Sequence, residues 1–168
     1  MTKDQYVQIT DYTRALTEKS PLGASFLRIP TWICAAAYGL CLALLAVTGD
    51  ERLYRAMLVP FLCFALVTFL RPVIGRERPY DTFAVPPIGK YKPGKGKSMP
   101  SRHTASAAAI AFAVIYAYPH PAVWLFMLSL SVLIAVLRIL SGQHYPSDVF
   151  AGFLLSACVS LLGYVLIP

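Results

Sequence analysis

Three groups of polar and ionisable residues interrupt an otherwise apolar chain. They read Arg71-x6-Arg78-Pro79, then Pro100-Ser101-Arg102-His103, then Arg138-x5-His144-x3-Asp148. Fixed guanidiniums, two imidazoles and one carboxylate are suited to a phosphate ester. A phosphoryl group in transit carries its charge on non-bridging oxygens, which fixed cations stabilise. Arg is better matched to this than Lys, because its planar fork donates two hydrogen bonds to one phosphate. Arg71, Arg78 and Arg138 fall at the ends of apolar stretches, where they are candidates for that role. Basic residues also flank membrane spans as headgroup anchors, and that reading is preferred for Arg28 and Arg76. Arg138 stands apart because it lies beside His144 and Asp148.

The second and third groups sit at helix starts. Ser is a good N-cap, and the free N–H groups of a helix start bind anions. Ser101 with the amides of Arg102 and His103 is therefore a candidate phosphate cradle, set against an ordinary capped helix. Pro146 disfavours helical geometry at Tyr145, so the last helix is predicted to begin at Pro146. His144 then precedes the helix and Asp148 lies in its first turn, where the macrodipole favours a carboxylate. From there Asp148 can accept the Nδ1–H of His144 and present Nε2 as a nucleophile. Ionisable groups are costly in a membrane, so an Arg, a His and an Asp at one mouth point to function. His120, between Pro119 and Pro121, is read as a turn residue.

The elements that must position these groups are apolar. The chain has 168 residues, the size of one domain. Hydrophobic residues make up 57% and charged residues only 14%, and mean hydropathy is +0.60. Those values fit a membrane protein rather than a soluble domain. The net charge of +7 implies anionic partners such as lipid headgroups or a phosphorylated substrate. No nucleic-acid partner is expected, since no basic helix or soluble fold carries one. Cys34, Cys41, Cys63 and Cys158 lie in apolar stretches without metal-ligand spacing and are read as small buried hydrophobes.

Residues 1–25 are predicted to form an interfacial segment, with a helix over 3–19. Tyr6, Ile9, Thr13 and Leu16 line one predicted face and Asp11, Arg14 and Glu18 the other. Ser20-Pro21-Leu22-Gly23 ends it, and the polar start shows no secretory signal. Apolar runs follow at about 29–48, 53–70, 103–118, 121–138 and 149–167. A span wants about 20 residues, so the second and third must extend into their flanks. Segment 71–102 is predicted to be an active-site loop, rich in Gly, Pro and Lys over 83–100. The expected fold is all-α: one domain over 1–168, an integral membrane helical bundle of about five transmembrane helices plus the interfacial helix. Five crossings put Arg71, His103, Arg138 and Asp148 on one side of the membrane.

The three motifs together resemble those of the type 2 phosphatidic acid phosphatase superfamily. That pattern runs Lys-x6-Arg-Pro, Pro-Ser-Gly-His and Ser-Arg-x5-His-x3-Asp, and the spacing within each motif fits residues 71 to 148. The resemblance implies that His144 is the nucleophile forming a phosphohistidine, that Asp148 orients it and that His103 protonates the leaving oxygen. It implies that Arg71, Arg78, Ser101 and Arg138 hold the phosphate, with Arg102 beside them, and that no metal or other cofactor takes part. Three positions depart from the pattern. Arg71 stands for Lys, Arg102 for Gly and Leu137 for Ser, which alters reach, backbone access and one hydroxyl.

The function expected on this basis is a multi-pass cell-membrane phosphatase acting on a lipid phosphate or diphosphate monoester. Phosphatidate, phosphatidylglycerophosphate and undecaprenyl diphosphate are candidate substrates. A non-catalytic lipid-binding protein of the same fold and a lipid phosphotransferase are the alternatives. Lys90, Lys92, Lys95 and Lys97 are candidates for a second phosphate or for anionic lipid. The resemblance implies a site facing outside the cytoplasm. Charge counting opposes it: nine basic residues other than the motif arginines fall on the site's side, against Arg52 and Arg55 on the other. The outside placement is adopted because a loop that recruits an anion has its own reason to be basic.

Overall fold

The apolar runs fold as helices, and no strand occurs among the residues described by the computed structural model, which are 1–19, 23–89, 91, 93 and 96–167. In chain order these are α1 (Lys3–Lys19), a 3-10 turn (Gly23–Arg28), α2 (Ile29–Thr48), α3 (Arg52–Ile74), α4 (Pro79–Phe83), α5 (Arg102–Ala117), α6 (Pro121–Leu140) and α7 (Pro146–Leu166). Four helical stretches, Ser25–Thr48, Arg52–Phe83, Pro121–Leu140 and Pro146–Leu166, are long and apolar enough to cross a membrane.

The third predicted span behaves differently. α5 has 16 residues, which at 1.5 Å each is about 24 Å and short of a bilayer core of about 30 Å. It packs against α2, α3, α6 and α7. A helix surrounded by other helices needs small residues rather than lipid-facing bulk. Ala105, Ala107, Ala108, Ala109, Ala111, Ala113 and Ala117 are all buried on it.

Local chemistry keeps the bundle's backbone satisfied. Pro60 lies inside α3 and has no N–H to give the Ala56 carbonyl four residues earlier. The hydroxyl of Tyr38 on α2 donates to that carbonyl instead, at 2.9 Å. Ser156 of α7 donates to the Ala105 carbonyl at 2.6 Å, and Cys63 Sγ lies 3.1 Å from the same hydroxyl. At the end remote from the motifs, Asp50 holds Arg52 at 2.6 Å, and Arg52 Nη1 caps the carbonyl of Ala117 at 2.7 Å. This pairing keeps the Asp50 carboxyl down at about 2. His120 caps α6, its Nδ1 accepting from the Ala122 amide at 3.2 Å.

Three expectations need correction. Segment 71–102 is partly helical: α3 runs on to Ile74 and ends at Gly75, whose φ of 62° suits a left-handed C-cap. α4 then begins at Pro79, whose fixed φ and missing N–H suit a first helical position. The buried face of α1 is Tyr6, Thr10, Thr13 and Thr17, while Leu16 is exposed. Its threonines bury because their hydroxyls bond back into the helix, as Thr10 and Thr13 do to Tyr6 and Ile9 at 2.9 and 2.8 Å. Cys158 is exposed on α7, unlike Cys34, Cys41 and Cys63. The predicted break at Ser20, Pro21 and Leu22, and the loop lysines Lys90, Lys92 and Lys95, lie outside the described residues.

Candidate active site

The motif-bearing ends of the helices converge because two close approaches hold them in register. Gly152 lets α7 press on the start of α5: a Cβ there would lie 2.7 Å from the Ser101 carbonyl oxygen. The Ser101 amide donates to the Asp148 carbonyl at 2.9 Å, joining the second motif to the third. Gly142, with φ of 70°, lets α1 close over the loop before α7, since a Cβ there would lie 2.6 Å from the Tyr6 hydroxyl. That hydroxyl, 3.2 Å from the carbonyls of both Val85 and Gly142, ties α1 to two segments around the site. Burial pushes its pKa up. α1 is therefore a brace for the loop that precedes α7.

Asp148 is fully buried in the first turn of α7, which begins at Pro146 as predicted. Its Oδ1 accepts from Arg76 Nη1 at 2.7 Å. Its Oδ2 accepts from Ser98 Oγ at 2.5 Å and from the Tyr145 amide at 2.9 Å. His144 is 2% exposed, and its Nδ1 lies 3.6 Å from Asp148 Oδ2, just beyond hydrogen-bond range. Nδ1 has no other partner. Burial holds the His144 pKa below that of free imidazole, with Arg78 and Arg71 acting in the same direction and Asp148 against it. The neutral ring, which a nucleophile requires, is thereby favoured.

The cations surround a cavity of about 430 Å3 whose lining includes Arg78, Arg102, His103, Arg138 and Gln143. Arg138 donates to Gln143 Oε1 at 3.2 Å and to Thr31 Oγ1 at 3.5 Å. The Nε atoms of Arg78 and Arg138 are buried without a hydrogen-bond partner, leaving donors for an anion. Leu137, which stands where the motif it resembles has Ser, supplies an apolar wall to the same cavity. Arg71, in the last turn of α3, is buried and donates through Nε (3.0 Å) and Nη2 to the Lys97 carbonyl. It does not line the cavity. Ser101 is the N-cap of α5, but its side chain makes no capping bond; its Oγ accepts from Thr104 Oγ1 at 3.0 Å. With its amide on Asp148, Ser101 contributes its hydroxyl rather than its N–H to any cradle. His144 does not line the cavity either, although it directly follows Gln143, which does.

A second cavity, of about 310 Å3, shares Arg102 and His103 with the first. Its walls include Ala35 of α2, Phe64 of α3, Ile110 of α5 and Ile134 of α6. The Arg102 guanidinium lies 5.6 Å over the Phe64 ring, a cation–π distance. A charged chamber thus opens beside an apolar one, with Arg102 and His103 between them.

Two residues read as headgroup anchors belong to this region. Arg76 pairs with Asp148, donates to Ser147 Oγ at 2.8 Å and lies 4.4 Å over the Tyr145 ring. Arg28 lines the charged cavity. Ser98, which donates to Asp148, carries no sequence signal beyond its position three residues before Ser101.

The sequence profile of the PAP2 superfamily matches residues 35–168. The chain belongs to the PAP2 superfamily. Among solved structures, Aquifex aeolicus LpxE has the same fold, with a TM-score of 0.73 at 22% identity over 96% of this chain and 93% of that one. A transmembrane PAP2-type phosphatidylglycerolphosphate phosphatase from Bacillus subtilis superposes with a TM-score of 0.62 at 20% identity, over 97% and 84%. No curated protein sequence matches the chain. The PAP2 match covers all three motifs, and the likeness to both solved structures extends over α1 as well.

Proposed function

We propose that this PAP2 membrane protein is a lipid phosphate phosphatase, acting on a lipid phosphate or diphosphate monoester through a phosphohistidine. The observation that carries this reading is the paired cavities, one with four arginines in its lining and one walled mainly by apolar side chains, meeting at Arg102 and His103. A lipid phosphate has the same two parts, a charged head and an apolar tail.

In this reading His144 Nε2 attacks phosphorus, and a P–N bond forms as the P–O bond to the leaving group breaks. His103 gives a proton to the leaving oxygen. Water, yielding its proton to His103, then attacks phosphorus, breaks the P–N bond and releases phosphate. Asp148 holds Nδ1–H and stabilises the cationic ring, and an approach of a few tenths of an ångström would complete that hydrogen bond. Arg78 and Arg138, with Arg102 alongside, and the Ser101 hydroxyl hold the phosphoryl oxygens; Arg71 joins them only by turning from the Lys97 carbonyl. The site is assigned to the face outside the cytoplasm.

The test is phosphate release by detergent-purified protein from a panel of lipid phosphates differing in chain and headgroup. Turnover of at least one by wild type and of none by His144→Ala supports the reading. No release from any member, by folded protein, overturns it.

A further inference from the structure

The cations around the charged cavity exceed what one phosphate can neutralise. Arg28, Arg78, Arg102 and Arg138 line it, and no Asp or Glu is in its lining. Among the described residues, ion pairs join Arg14 to Asp11, Arg52 to Asp50 and Arg76 to Asp148, while no carboxylate pairs with Arg28, Arg71, Arg78, Arg102 or Arg138. A phosphate monoester carries roughly −1.5 to −2 at neutral pH. Arg78 and Arg138, the motif cations in the lining, already match that charge. Arg28, from the turn before α2, and Arg102, at the first position of α5, are surplus. Like charges gathered without counter-charge repel one another, so a cavity built this way favours a more highly charged ligand.

We propose that Arg28 and Arg102 form a second anion subsite beside the scissile phosphate and that the substrate is a lipid diphosphate. This rests on the phosphatase reading and names its substrate class. Arg102 carries the placement, because it borders both the charged and the apolar cavity. The phosphate attached to the lipid chain belongs at that junction, and the terminal phosphate belongs with Arg78 and Arg138. His144 then takes the terminal phosphoryl group as the P–O–P bridge breaks. The bridging oxygen leaves with the lipid monophosphate, and water later frees orthophosphate from His144. Arg28 and Arg102 offset the charge that grows on the departing monophosphate.

The test is calorimetric titration of the full chain, purified in detergent, with inorganic pyrophosphate and with orthophosphate. Wild type is expected to bind pyrophosphate at least about tenfold more tightly. Arg28→Gln and Arg102→Gln should each cut that advantage to about threefold or less, with Arg102→Gly replacing the latter if it does not fold. Arg55→Gln removes one positive charge from the far end of the bundle, where Arg55 bonds Tyr116 at 3.3 Å, and should leave the advantage intact. Equal affinities in wild type, or an undiminished advantage in the Arg28 and Arg102 variants, overturns the proposal. A protein that hydrolyses lipid monophosphates yet binds both anions equally would keep the phosphatase reading and lose this one.

Discussion

Replacing Asp148 with Asn removes a charge while nearly preserving shape, and the geometry around the carboxylate bounds the outcome. One oxygen serves Arg76 at 2.7 Å; the other serves Ser98 at 2.5 Å and the Tyr145 amide at 2.9 Å, with His144 Nδ1 at 3.6 Å. An amide has one acceptor where the carboxylate has two. If its NH2 faces Arg76, donor meets donor and the guanidinium loses its counter-charge. If it faces the other way, the Tyr145 amide loses its acceptor and the His144 ring loses the oxygen nearest its Nδ1. A hydrogen bond to a charged group contributes about 1.5–3 kcal/mol. The Arg76 side chain is 34% exposed, so water offsets part of the loss and the expected destabilisation is about 1–2 kcal/mol. The catalytic loss should be larger. In a Ser–His–Asp triad such a change costs about 10⁴ in kcat. We expect 10²–10⁴, roughly 3–5 kcal/mol of barrier. KM should move much less, since the arginines hold the phosphate. The assay is kcat and KM for purified wild type and variant at several pH values, with thermal melts showing both folded. A folded variant with kcat within about threefold of wild type would reduce Asp148 to a helix-start carboxylate braced by Arg76.

Three further outcomes follow from particular contacts. His103→Ala should lose most activity on substrates with basic leaving oxygens and least on those with good leaving groups; uniform loss across a leaving-group series counts against His103 as the acid. Gly152→Ala puts a Cβ 2.7 Å from the Ser101 carbonyl oxygen, and such overpacking should cost about 1–3 kcal/mol in unfolding measurements; an unchanged melt would contradict the close approach of α7 to α5. The lowered His144 pKa means that, as pH falls below the free imidazole value of about 6.5, the unfolded chain takes up a proton that the fold resists. Stability present above that pH should be lost below it, by up to about 1.4 kcal/mol per pH unit. His144→Gln should show a shallower decline in melting temperature between pH 7 and 5, and parallel wild-type and variant curves would refute it.

What was legible in the sequence is what depends on local chemistry. α1 runs from Lys3 to Lys19 and α7 starts at Pro146, the latter because proline geometry acts within a few residues. That Arg71, His103, Arg138 and Asp148 fall at one end of the bundle follows from counting spans, which needs only hydropathy. Partners chosen by tertiary packing were not legible. Arg76 looked like any basic residue beside a span, and only the approach of Arg76 and Ser98 to α7 makes it the counter-ion of Asp148. In the same way, the buried threonine face of α1 depends on the loops beneath Tyr6, and the shortness of α5 depends on the helices around it. Arg71 shows the limit from the other side: its position fits the motif, while its guanidinium is turned to the Lys97 carbonyl.

The central claim is that phosphate passes through His144. The most direct measurement is rapid acid-free quenching of detergent-purified protein during turnover of a lipid phosphate labelled in the transferred phosphoryl group, followed by peptide mapping. The account predicts an alkali-stable, acid-labile label on the peptide bearing His144, absent from His144→Ala and released as phosphate on a chase with unlabelled substrate. Continued phosphate release by His144→Ala, or a label that maps to another residue, would contradict it.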